Sequence, residues 1–98
     1  MPSPEVIEAA AMIGAVLASN PRKFTKRQVK RYEDQPRAVG ETLGFSGTLL
    51  EDASELYSLA WLSVDWRAWD IPDPNDPAMD AAAEALIRSG WLPPQGGN

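Results

Sequence analysis

Apolar residues recur in this chain at helical spacing, in segments cut off from one another by proline and capping residues. No stretch alternates with the period of a strand. That pattern confines the chain to helices. The first opens at Ser3, with Pro4 at the first helical position and Glu5 in the positive first turn. Val6, Ala10, Ile13 and Leu17 form its apolar stripe. Ala10, Gly14 and Ala18 add small residues four apart, which would admit a close neighbour, either a core helix or a second copy. Asn20-Pro21 stops it near Ser19. Thr25 and Gln28 form a capping box, with Phe24 and Val29 as its hydrophobic staple, and start a second helix that Pro36 ends near Asp34.

Pro36 also opens a short helix through Leu43, which Gly44 closes as a left-handed residue. Thr48 and Glu51 form another capping box and begin the longest helix, expected to reach Trp69 before Ile71-Pro72. Leu49, Ala53, Leu56, Ala60 and Val64 share one face of it. Leu59, Leu62, Trp66 and Trp69 share another, so its second half is apolar on most sides and is either central in the fold or an interface. Asp70 to Pro77 holds three prolines and three aspartates and reads as a stiff loop. Asp76-Pro77 starts a last helix whose inner face is Met79, Ala82, Ala83, Leu86 and Ile87. Gly90 ends it, with Trp91 placed to fold back on Leu86 in a Schellman motif.

These elements predict an all-α fold, a compact bundle of four to five helices. A single domain is expected over residues 1–92, with a disordered tail over 93–98. Ninety-eight residues suffice for one modest core, burying roughly 60–70% of the unfolded surface. There is no cysteine for a disulfide or thiolate site and no histidine to act as general base or metal ligand. The first apolar stretch follows Glu5 and Glu8 rather than positive charge, and it is too short to span a membrane. A cytoplasmic protein is expected. The richness in Ala, Trp, Asp, Arg and Pro, with only three Lys, suggests a high-GC bacterial or phage coding sequence and then a host cytoplasm.

The net charge is −5, but its distribution is uneven. Seven of the nine Lys and Arg fall between Arg22 and Arg37, against only Glu33 and Asp34. Beyond residue 37, ten acidic residues face only Arg67 and Arg88. Such bipolarity bears on partner choice and encounter rate more than on fold. Lys23, Arg27, Lys30 and Arg31 share one side of the second helix, with Lys26 adjoining. They are candidates for contact with an acidic partner or with phosphates.

Val39, Gly40, Leu43, Gly44, Phe45, Leu50 and Ala53 fall in the register of a helix-turn-helix. Residues 36–54 resemble that superfamily, above all at Leu43-Gly44-Phe45-Ser46. The resemblance implies a helix-turn-helix corner whose second helix would enter the DNA major groove. Here that helix presents Thr48, Leu49, Glu51, Asp52 and Glu55, without Arg, Lys, Asn or Gln, and phosphates would repel it. The corner is therefore expected to pack two helices rather than to read DNA.

Catalysis has little to work with. Nucleophilic triads lack their His or Cys, Gly44-Phe45-Ser46-Gly47 is not a nucleophile elbow, and no glycine-rich phosphate loop occurs. Asp73, Asn75 and Glu84 match three positions of a calcium loop, but Pro77 and Ala78 occupy the next ligand position and its glycine. No enzyme, cofactor or metal is expected. Asp65, Asp70, Asp73, Asp76, Asp80 and Glu84 could imitate a phosphate row, which the modest net charge disfavours.

Four tryptophans, Trp61, Trp66, Trp69 and Trp91, all lie beyond residue 60. Burying one removes about 150–250 Å² from water, so core filling is their ordinary use. Trp61 and Trp91 suit the core best, whereas Trp66 and Trp69, beside the stiff loop, suit a binding surface. The expected function is a non-catalytic protein-interaction module, an accessory, adaptor or inhibitor protein, plausible for a phage or mobile element. Its partner-binding residues are Lys23, Lys26, Arg27, Lys30, Arg31, Trp66 and Trp69. Homo-oligomerisation is compatible with the bipolar charge. A helix-turn-helix DNA-binding regulator and a small virion-assembly protein are the alternatives.

Overall fold

Four helices account for most of the described residues: α1 (Pro4–Ser19), α2 (Asp34–Thr42), α3 (Gly47–Ser63) and α4 (Pro77–Arg88). The computed structural model describes residues 3–19, 34–70 and 77–93, and no strand occurs among them. The helix expected from Thr25, with its capping box and basic side, lies outside the described residues up to residue 33, as do Asp76 and the expected tail from residue 94.

α1 is the central element. It packs on both α3 and α4, α4 closes against α3, and α2 lies across α1 and α3 without reaching α4. Ser3 caps α1 as its sequence expects: its hydroxyl accepts from the Val6 N–H at 3.3 Å and its carbonyl from the Ile7 N–H at 3.1 Å. The stripe of Val6, Ala10, Ile13 and Leu17 is buried, widened by Ala9, Ala11 and Gly14. At Gly14 the spacing of small residues has its reason. A Cβ there would stand 2.9 Å from the Glu84 Cβ and 3.3 Å from its Cα, so α4 passes α1 too closely for any side chain. Within this molecule Gly14 serves the α1–α4 contact.

Both helix ends marked by glycine close as Schellman motifs. Gly44 has φ 94°, the Phe45 N–H reaches the Gly40 carbonyl and the Gly44 N–H that of Glu41, each at 3.0 Å. Gly90 has φ 87°, with Trp91 bonded to Leu86 and Gly90 to Ile87, again at 3.0 Å. The turn at Gly44 joins α2 to α3. Val39 is buried, and the smallness of Gly40 makes room for Leu50, whose Cδ1 would lie 2.5 Å from a Cβ at that position.

Three boundaries depart from the sequence expectation. α2 starts at Asp34, so Pro36 sits inside its first turn rather than opening it. A missing N–H costs nothing there, because first-turn donors have no partner within the helix. α3 starts at Gly47, which makes Ser46 the N-cap, without a side-chain cap bond, and leaves Thr48 and Glu51 exposed rather than capping. Docking of Leu50 against Gly40 sets this register.

The third departure matters most. α3 ends at Ser63 instead of reaching Trp69. Val64 turns extended (φ −69°, ψ 128°) and is buried, and the Asp65 carboxylate accepts the Arg67 N–H at 3.1 Å. That local bond offers the backbone an alternative to helix. Ala68, Trp69 and Asp70 then donate to the carbonyls of Asp65, Trp66 and Arg67 in successive tight turns, and Asp70 closes them with φ 54°.

The core is made of small and medium side chains: Ile13, Leu17, Val39, Leu56, Met79 and Ile87 among alanines of α1, α3 and α4. Trp61, Trp66 and Trp91 pack against it half-buried. No buried side-chain nitrogen or oxygen among the described residues lacks a hydrogen-bond partner.

Candidate interaction surface

Apolar side chains that a fold leaves outside are the ones it does not use. Among the described residues the large exposed ones are Met12 on α1, Leu59 and Leu62 on α3, and Trp69 in the turn after it. Three of these four lie in one short stretch of chain. Leu62 is 58% exposed and Trp69 53%. Leu59 and Leu62 follow Glu51 and Glu55 along one face of α3, because those positions advance by four, four and three residues in a helix of 3.6 per turn. Thr48 and Asp52 are exposed on the same side. The outward face of α3 is thus acidic over its first half and apolar over its second, and α3 carries no Lys or Arg.

The turn over 65–70 separates the two tryptophans that the sequence groups together. Trp66 folds back against the core, and the Arg67 guanidinium lies over its ring, 5.4 Å from the centroid. That stacking is worth about 0.5–1 kcal/mol at an exposed site and covers the ring's outer side. Trp69 points outward and stays more than half exposed. The helical stripe expected to carry both does not exist past Ser63. Lys23, Lys26, Arg27, Lys30 and Arg31 lie outside the described residues.

A polar cluster that the sequence reading missed sits where α1, α3 and α4 meet. The Tyr57 hydroxyl donates to an Asp80 carboxylate oxygen, while its ring edge would be 3.1 Å from a Cβ at Gly14. Burial first, then the Asp80 charge and hydrogen bond and the Glu84 charge, push the phenol well above its ordinary range. Glu84 pairs one helical turn on with Arg88. Tyr57 and Asp80 stand 23 residues apart in sequence, so no local spacing announces the pair. Three carboxylates of the imagined phosphate row are engaged within the chain: Asp80 accepts from Tyr57 and Glu84 pairs with Arg88 in this cluster, and Asp65 accepts from Arg67 in the turn after α3.

No group of three or more acidic side chains among the described residues could hold a metal ion, and no helix among them is long and apolar enough to cross a membrane. Asp73 and Asn75 of the calcium-loop match lie outside the described residues. Compared with known proteins, the chain matches no family model, no curated protein and no solved structure.

Proposed function

We propose that this chain is a non-catalytic protein-interaction module, an accessory, adaptor or inhibitor, that holds a partner protein through Trp69 and the apolar end of α3. The observation that carries the reading is Trp69 itself, 53% exposed on a turn pinned by Asp65 rather than tucked into the core. Covering the exposed half of a tryptophan is worth roughly 2–3 kcal/mol at about 25 cal/mol/Å². An exposed tryptophan and two exposed leucines within eleven residues of chain have the composition of a binding hot spot. Lys23, Lys26, Arg27, Lys30 and Arg31 supply a second, electrostatic contact in this reading.

A helix-turn-helix DNA-binding regulator, with the basic residues around Lys26 and Arg27 on phosphates, is the weaker alternative. The residues a recognition helix would offer, Thr48, Glu51, Asp52 and Glu55, are exposed, and three of the four carry negative charge.

Affinity capture from a lysate of the source cells, followed by mass spectrometry, tests the reading. Wild type retains a defined protein that Trp69→Ala loses, with the helical circular dichroism signal unchanged. Retention by Trp69→Ala would sink the role of Trp69. A salt-dependent shift of duplex DNA, abolished by Lys26→Glu and Arg27→Glu, would favour the DNA-binding alternative instead.

A further inference from the structure

The outward face of α3 has two halves of different chemistry on one straight ridge. Glu51, Asp52 and Glu55 present three carboxylates, and Leu59 and Leu62 follow along the same side, with Trp69 just beyond the helix end. From Glu51 to Leu62 the ridge runs about 16 Å, or three turns, at 1.5 Å per residue. No Lys or Arg on α3 neutralises the acidic half. We infer that this face docks a basic amphipathic helix of a partner protein, its apolar anchors on Leu59 and Leu62 and its Lys or Arg residues over Glu51, Asp52 and Glu55. The inference rests on the interaction-module reading above and names the chemistry of the partner.

Charge chooses the occupant. The carboxylates repel nucleic acid and acidic proteins and draw a cationic segment from a distance. A second copy's α3 fits badly in either direction. Laid parallel, it sets acid against acid; laid antiparallel, it presses unpaired carboxylates onto Leu59 and Leu62, which costs their desolvation. A cationic helix with apolar residues at three- and four-residue spacing meets both halves at once. The leucines supply the contact that persists at high salt.

The test uses the full chain and two labelled synthetic peptides of helical period, one of Leu and Lys and one of Leu and Glu, followed by fluorescence anisotropy. Three variants accompany wild type: Leu59→Ser with Leu62→Ser; Glu51→Gln, Asp52→Asn and Glu55→Gln together; and, as a charge control on the exposed face of α1, Glu5→Gln with Glu8→Gln. All change exposed positions, where substitutions usually move stability by less than about 0.5 kcal/mol, and circular dichroism checks their folding.

The Leu/Lys peptide binds and the Leu/Glu peptide does not. Each α3 variant weakens binding by about tenfold or more, the size of a lost interface anchor. The α1 control stays near wild type, and the α3 charge variant shows a shallower salt dependence. No binding of the Leu/Lys peptide overturns the inference, as does equal weakening by the α1 control. So does a dimer, seen by sedimentation, that Leu59→Ser with Leu62→Ser dissolves. If peptide binding ignores α3 while partner capture still needs Trp69, this inference fails and the broader reading stands.

Discussion

The Tyr57 hydroxyl reaches Asp80 from a position only 2% exposed, so the bond links α3 to α4 beneath the close passage of α1 at Gly14. Removing the donor leaves a partly buried carboxylate without that hydrogen bond. Tyr57→Phe is expected to destabilise the fold by about 1.5–3 kcal/mol, towards the lower end because Asp80 keeps some contact with water. The same residue sets an alkaline limit. The folded chain holds its phenolic proton above the pH near 10 at which the unfolded chain releases it. Its contribution is therefore complete below about pH 10 and is lost progressively as pH rises beyond that value. Denaturant unfolding from about pH 8 to about pH 11 checks this: wild-type stability falls at the alkaline end, and the fall is shallower in Tyr57→Phe. An equal fall in both would assign the limit to other groups.

Helix packing gives a sharper contrast between two glycines. Ala in a helix interior gains about 1 kcal/mol over Gly in propensity. At Gly14 that gain meets the Cα and Cβ of Glu84, parts of α4 that cannot yield without moving the helix. At Gly40 the obstruction is the end of the half-buried Leu50 side chain, which can rotate, although Ile13 Cδ1 at 3.3 Å limits the room. Gly14→Ala is expected to cost about 1–3 kcal/mol net, and Gly40→Ala less, measured by chemical denaturation. A stabilised Gly14→Ala would contradict the close passage. Most element ends were legible because their signals are local: the Ser3 cap, Gly44 and Gly90 all act within a few residues. The end of α3 was not, although Asp65 is a turn-former. The apolar pattern continues through Trp66 and Trp69 at helical spacing and hides the break at Val64, beyond which the Asp65 carboxylate accepts the Arg67 N–H. The Tyr57–Asp80 link and the register of α3 arise only from tertiary contact, so no spacing encodes them.

At the scale of the molecule, the radius of gyration of 12.6 Å matches a compact chain of this length, about 13 Å for 100 residues. A chain this compact that leaves Leu62 and Trp69 outside has apolar surface its own folding does not use. Composition pointed to Trp66 and Trp69 together, and the sequence could not divide them. The turn after Val64 does so, giving one to the core under Arg67 and the other to the surface. Leu62 and Trp69 serve a partner rather than the fold in this reading. Equilibrium denaturation of Leu62→Ser with Trp69→Ala tests it most directly. A loss within about 1 kcal/mol is expected, since exposed positions move stability little. A loss of about 3–5 kcal/mol, the cost of emptying a core site, would contradict it.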